Sequence, residues 1–245
     1  MISSLFHTLI YDPIYNGLVF FVDIVPAHDI GIAVIIVTLV VRVLLFPLSR
    51  RAIKTQMDMK RIAPEIEEVK KKYKDNAQEQ GRAIFALYRE RDVHPFSGFL
   101  VILIQLPILL GLYWVFALGG FPTVDPDVLY SFVSIPGSIK MEFLGLIHMG
   151  ESRNIALAIL VAATQFVYSR LSMGPRDSTT PVEATLSSDM ARSFDIQARY
   201  VFPLMFGAIS FFVVAAAPLY WLTSNLFMIG QELATGRRFN PEKKG

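Results

Sequence analysis

The chain has 245 residues, 53% of them hydrophobic and only 18% charged, where soluble domains carry about 25% charged residues; with a mean hydropathy of +0.46, this is the composition of a membrane protein. Cysteine is absent, which excludes disulfides, thiol chemistry, cysteine lipidation and cysteine-held metals. The formal net charge of +2 discriminates nothing, but the distribution of charge along the chain does.

Residues 1 to 41 contain no lysine or arginine, so the amino terminus lacks the basic start of a cleavable signal peptide and is read as part of the mature protein. "SSLFHTLIYDPIYNGLVFFVDIVP" (Ser3 to Pro26) is apolar and aromatic but interrupted by Asp12, Pro13 and Asp23, which suits an interfacial helix on the outer leaflet. The alternative, an extra span, would carry Asp12-Pro13 into hydrocarbon. Residues 1–29 thus form an outer segment. The first span runs from Ile30 to Phe46 within 30–49. Arg42 interrupts it five residues before Pro47, roughly 8 Å from the helix end at ~1.5 Å per residue, with Thr38 one turn earlier on the same face.

Residues 50–95 differ in kind. "APEIEEVKKKYKDNAQEQGRAIFALYRERD" places Ile66, Val69, Tyr73, Ile84, Leu87 and Tyr88 at helical spacing among dense mixed charges, with Pro64 suited to a first turn. This predicts a charged helical hairpin turning near Asp75 to Gln80, against the blander reading of a solvated connection. Residues 96–235 hold four further spans, Phe96 to Leu118, Asn154 to Leu171, Tyr200 to Val214 and Pro218 to Ala234. "AAAPLY" (Ala215 to Tyr220) divides the last two, because a proline interrupts a helix interior and the combined run is too long for one crossing. The 172–198 loop is rich in Pro, Ser and Thr without periodicity, and 236–245 is a short basic tail.

Of the 23 basic residues, twelve lie between Arg50 and Arg91, four between Arg170 and Arg199, and four in the tail, with only Lys140 and Arg153 between spans two and three. Because cytoplasmic loops retain lysine and arginine, this predicts an outer amino terminus, a cytoplasmic hairpin and a cytoplasmic carboxyl tail. The expected fold is an all-α membrane protein with five transmembrane helices, a cytoplasmic helical hairpin and an amino-terminal interfacial helix.

Inside the spans the sequence offers one charge, Arg42, and a few polar side chains: Thr38, Gln105 near the middle of span two, Gln165 in span three, and Asn225 in span five with Gln231 beyond it. With the predicted orientation they occupy the middle or cytoplasmic half of each helix, a pattern that describes a wet pocket open to the cytoplasm. The amides could instead be interhelical glue, and Arg42 could snorkel to headgroups. A charge at this depth costs on the order of 3 kcal/mol even on insertion scales, and with no intramembrane Asp or Glu counted, water or a visiting anion is expected to meet it. That count argues against an ion-coupled transporter. His7, His28, His94 and His148 show no HExxH spacing and no GxSxG occurs, so neither an enzyme nor a bound cofactor is expected.

"IIVTLVVRVLLFPLSRRAIKTQMDM" (Ile35 to Met59), "APEIEEVKKKYK" (Ala63 to Lys74), "LYRERDVHPFSGFLVILIQLPILLGLYWVF" (Leu87 to Phe116) and "LYWLTSNLFMIGQ" (Leu219 to Gln231) stand in the order and spacing of one family. Through them the chain resembles the YidC/Oxa/Alb membrane protein insertases from about Pro13 to Ala234. The resemblance implies a hydrated groove around the basic residue matching Arg42, open to the cytoplasm and laterally to lipid, and a cytoplasmic hairpin that helps receive substrates. The chain departs from the family in lacking the large extracytoplasmic domain of Gram-negative members, in having His94-Pro95 where Asn-Pro is common, and in its short tail.

The function expected is insertion of nascent membrane proteins. Arg42 would receive hydrophilic, often acidic segments in a groove lined by Thr38, Gln105, Gln165 and Asn225, and the apolar segment would leave sideways into lipid. A membrane-embedded chaperone or assembly factor beside a translocon is the alternative, and a small channel a third. Expected partners are nascent membrane proteins and the lipid bilayer, with the Sec translocon, the signal recognition particle pathway and the ribosome as candidates; no sequence-specific nucleic acid is expected. The bacterial plasma (inner) membrane is the expected location.

Overall fold

The structure is a computed structural model that describes residues 5–74, 76–93, 97–173, 193 and 195–235. His94-Pro95, most of the 172–198 loop and the 236–245 tail fall outside the described residues. The chain is predominantly helical and divides into two compact units, Met1–Val43 with Pro107–Gly245, and Leu44–Leu106.

In the larger unit, a π-helical turn (His7–Tyr11) leads into α1 (Asp12–Ile24). Pro13 occupies its first turn, where a missing N–H costs nothing. Ile14, Tyr15, Leu18, Val19 and Val22 recur at helical spacing and form its buried face. Asn16, also buried, donates to the Val128 carbonyl at 2.9 Å and accepts from the Tyr130 N–H at 2.6 Å, and the Tyr15 hydroxyl accepts from the Asp125 N–H at 2.8 Å. These bonds tie the 125–130 segment to α1. The next helix, α2 (Ile30–Leu44), lies close enough that a Cβ on Gly17 would sit 3.5 Å from Val37 Cγ2.

The smaller unit holds α3 (Phe46–Arg61), α4 (Ala63–Lys72) and α5 (Ala77–Glu90). Pro64 lies in the first turn of α4, as expected, and the Asn76 side chain caps α5 through the Glu79 N–H at 3.1 Å. The helix α5 therefore begins before Gln80, so the turn is shorter than the sequence suggested. Helices α4 and α5 pack together, with Arg91 donating to Glu65 at 2.7 and 3.0 Å and the Gln80 amide to the Lys70 carbonyl at 3.1 Å.

Helix α6 (Ser97–Ala117) contains Pro107, where the chain returns to the larger unit. There follow a two-residue hairpin, β1 (Glu142–Phe143) and β2 (Ile147–His148), and then α7 (Ile155–Met173). A second π-helical turn (Gln197–Val201) opens α8 (Phe202–Phe212), so the helical path begins before the expected Tyr200. Helix α9 (Ala216–Ala234) starts after a break at 213–215. Pro218 thus stands inside the first turn of α9 rather than between helices, because only there does its missing N–H leave no bond unmade.

Helix α7 packs against both α8 and α9. At the α7–α8 contact a Cβ on Gly207 would lie 2.7 Å from the Ala162 Cβ and 3.1 Å from the Ala158 carbonyl. Small residues let two helix backbones approach where lipid offers no hydrophobic driving force and dispersion must hold the pair. Among the described residues α7 alone is long and apolar enough to cross a membrane by itself; 30–44 with 46–59 satisfies the test only as a bent pair, and 105–117 is a shorter apolar stretch.

Beside a core that is largely apolar, the chain also exposes large apolar side chains and buries several polar ones. Val43, Leu44, Leu204 and Phe212 are 61–73% exposed, whereas Ser210, Ser224, Asn225 and Glu232 are at most 2% exposed. In water the apolar group would be inside and the polar group outside; a hydrocarbon surround removes the cost of the first and imposes one on exposing the second.

Candidate functional site

The site begins on α2. Thr38 and Arg42, four residues apart, share one face and are 1% and 5% exposed, while Leu39, Val40, Val43 and Leu44 point outward. The Thr38 hydroxyl donates to the Val34 carbonyl at 2.6 Å, which satisfies it within the helix and leaves its lone pairs toward the interior.

A second polar face comes from α9. Asn225 is buried and its amide donates to the Thr164 hydroxyl at 3.3 Å; that hydroxyl in turn donates to the Leu160 carbonyl at 2.8 Å. The partner of Asn225 is thus Thr164, the residue before Gln165, and Gln165 itself is half-buried beside that contact. Gln105 is half-buried on α6 and belongs to the other unit. The structure therefore sets Thr38 with Arg42 on α2, and Asn225 with the 164–165 turn of α7.

Two buried charges go beyond the sequence reading. Glu232, within the last expected span, is fully buried, with Gln231 beside it; the sequence reading counted Arg42 as the one charge inside the spans. Arg199 is also buried and forms an ion pair with Asp195 at 2.8 Å, one turn away in the helix. It had counted only as a basic residue of a cytoplasmic loop. Burying a charge is tolerable when another charge and hydrogen bonds compensate it, and the Arg199–Asp195 pair provides that locally.

The opposite end of the same unit is closed by backbone hydrogen bonds. Asp29 caps α2, accepting from the N–H groups of Gly31 at 2.8 Å and Ile32 at 3.1 Å, and its second oxygen accepts from the Leu144 N–H at 2.7 Å. The Ile30 N–H donates to the Lys140 carbonyl at 3.1 Å and the Lys140 N–H to the His28 carbonyl at 2.9 Å. Gly31 is required there, since a Cβ would lie 2.5 Å from the Phe143 side chain. Past the hairpin, the Ala216 N–H donates to the Met149 carbonyl, the Ala215 N–H to the Glu151 carbonyl, and the Arg153 N–H to the Phe211 carbonyl. The 140–153 segment therefore binds the start of α2 to the α8–α9 turn.

Among the described residues no group of His, Asp or Glu side chains is placed to hold a metal ion. What the arrangement offers is electrostatic and steric: inward-facing polar side chains on α2 and α9, the buried charges Arg42, Arg199 and Glu232, and a hydrogen-bonded closure around the buried Asp29.

Comparison with known proteins gives a consistent picture. The family model described as "60Kd inner membrane protein" matches residues 20–243. The chain is similar to the "Membrane protein insertase YidC" of Clostridium tetani, 33% identical over 86% of this chain and 83% of that protein. It is also similar to the protein of the same name from Fusobacterium nucleatum, 32% identical over 83% and 84%. A solved structure titled "Active YidC insertase crystal structure with the first transmembrane domain resolved" superposes with a TM-score of 0.55 at 27% identity, covering 90% of this chain and 46% of that one.

Proposed function

The chain belongs to the 60Kd inner membrane protein family, and from that premise we propose that it inserts nascent membrane proteins into the bacterial plasma membrane. The observation that carries the mechanism is the burial pattern of α2, where a charged and a hydroxyl side chain face inward while valines and leucines face outward.

In this reading the chain crosses the bilayer five times, with the amino terminus outside and the carboxyl terminus cytoplasmic. Residues 1–29 lie along the outer interface, and the charged α4–α5 pair projects into the cytoplasm to receive substrate. Arg42, Thr38, Gln105, Gln165 and Asn225 line a groove open to the cytoplasm and to lipid, joined by Gln231 and Glu232. A hydrophilic segment of the substrate enters from the cytoplasm, where Arg42 and water lower its desolvation cost. The outer closure by the 140–153 segment limits how far water penetrates, so only part of the hydrocarbon thickness remains to be crossed. The apolar segment then partitions into lipid under ordinary hydrophobic transfer. No nucleotide is consumed. Sec translocon, signal recognition particle and ribosome are candidate partners upstream.

The test is insertion of a short single-span substrate with an acidic amino tail into liposomes containing only this protein. Wild type inserts it, Arg42→Lys retains most of the activity, and Arg42→Glu loses it. Failure of folded wild type would instead support a chaperone acting beside a translocon.

A further inference from the structure

Among the described residues, four at the outer end of the larger unit are apolar and largely exposed. Leu144 and Leu146 are 63% and 83% exposed at the tip of the β1–β2 hairpin, separated by Gly145, whose φ is +71°. Ile155 and Phe212 are 66% and 73% exposed where α7 begins and α8 ends. The hairpin is not free to place its tip at any depth. The Leu144 N–H is held by Asp29, which at the same time caps the first turn of α2, and Ile30 donates to Lys140. On the other side the Arg153 N–H donates to Phe211, next to the exposed Phe212.

We propose that this hairpin is a lipid anchor, with Leu144 and Leu146 dipping into the headgroup–acyl boundary of the outer leaflet. The proposal rests on the reading of α2 as a membrane span, since it is the first turn of α2 that sets the depth of the tip. The backbone at Leu144 is left-handed, φ +53°, and its side chain is largely exposed while its N–H is bonded to Asp29. The tip is flanked by exposed Lys140 and Glu142, and apolar side chains beside a long basic one are what an interface between water and hydrocarbon accommodates. A protein partner fits less well, because two leucines fall far short of the roughly 800 Å² per partner of a stable interface. Anchoring would hold the outer closure at the lipid boundary while substrate moves on the other side.

Because the chain has no cysteine, single-cysteine variants carry one label each. Leu146→Cys, with Leu144→Cys as a second reporter, is labelled with an environment-sensitive nitrobenzoxadiazole dye and reconstituted into phosphatidylcholine–phosphatidylglycerol vesicles. Ile159→Cys, on the exposed face of α7, and Glu79→Cys, exposed on α5, give lipid and water references. The hairpin labels are expected to emit toward the blue, resist aqueous iodide, and be quenched more by a nitroxide near the headgroup than by one at the acyl-chain end. Iodide quenching at both hairpin positions equal to that at Glu79→Cys, with Ile159→Cys shielded, would overturn the anchor and leave the spanning reading intact. Iodide quenching at Ile159→Cys as well would overturn both. Blue emission without quenching by lipid-borne nitroxides would mean that a second copy covers the tip, and would also overturn the proposal.

Discussion

Asp29 performs three tasks with one carboxylate, capping two N–H groups of α2 and holding the Leu144 N–H. Loss of a helix cap alone costs about 0.5–2 kcal/mol. Asp29→Ala is therefore expected to lower thermal stability in detergent by at least that amount, and to speed amide exchange at residues 140–146 relative to the α5 helix. A drop without faster exchange in the hairpin would detach the two roles. At Asn225 and Thr164 the expectation is smaller. Hydrogen bonds between membrane helices average about 0.6 kcal/mol in double-mutant cycles, so Asn225→Val, Thr164→Val and the double variant should show a coupling near that value. Arg42 is a different matter, since it is a charged side chain only 5% exposed on the inward face of α2. The residue and its neighbour Thr38 were legible because a period of about 3.6 places i and i+4 together. Glu232 and Arg199 were not, because sequence position near a helix end does not say whether a side chain turns inward.

At the scale of elements, the α7–α8 contact depends on the missing side chain of Gly207. Gly207→Val is expected to cost about 1–3 kcal/mol by overpacking against Ala162, read as a lower unfolding temperature in detergent. Ala162→Gly in the same chain should recover part of it; no recovery would place the strain elsewhere. By contrast the Glu65–Arg91 pair, though bonded at 2.7 Å, is exposed, and such pairs contribute about 0–1 kcal/mol, so Arg91→Ala should leave stability nearly unchanged. Each expected span falls largely on a helix, although among the described residues α7 alone is long and apolar enough to cross a membrane by itself. The ends were harder to read. Pro218 marked a break only to within a few residues, and the β1–β2 hairpin was invisible because strands of two residues carry no alternation to detect. Its position comes from bonds to Asp29 and Ala216, contacts between residues far apart in the chain.

At the scale of the whole molecule, the proposed mechanism depends on the larger unit, where Thr38 and Arg42 are buried on α2 while Leu39, Val40 and Val43 are exposed. The central claim is that the charge at Arg42 receives the substrate. It is tested most directly by a charge-swap insertion assay in liposomes containing only this protein, with Arg42 and Arg42→Glu each presented with acidic-tailed and basic-tailed versions of one single-span substrate. The account predicts that the Glu variant loses the acidic tail by about tenfold or more, equivalent to ~1.4 kcal/mol, and recovers relative preference for the basic tail. Equal insertion of both substrates by both proteins would contradict it.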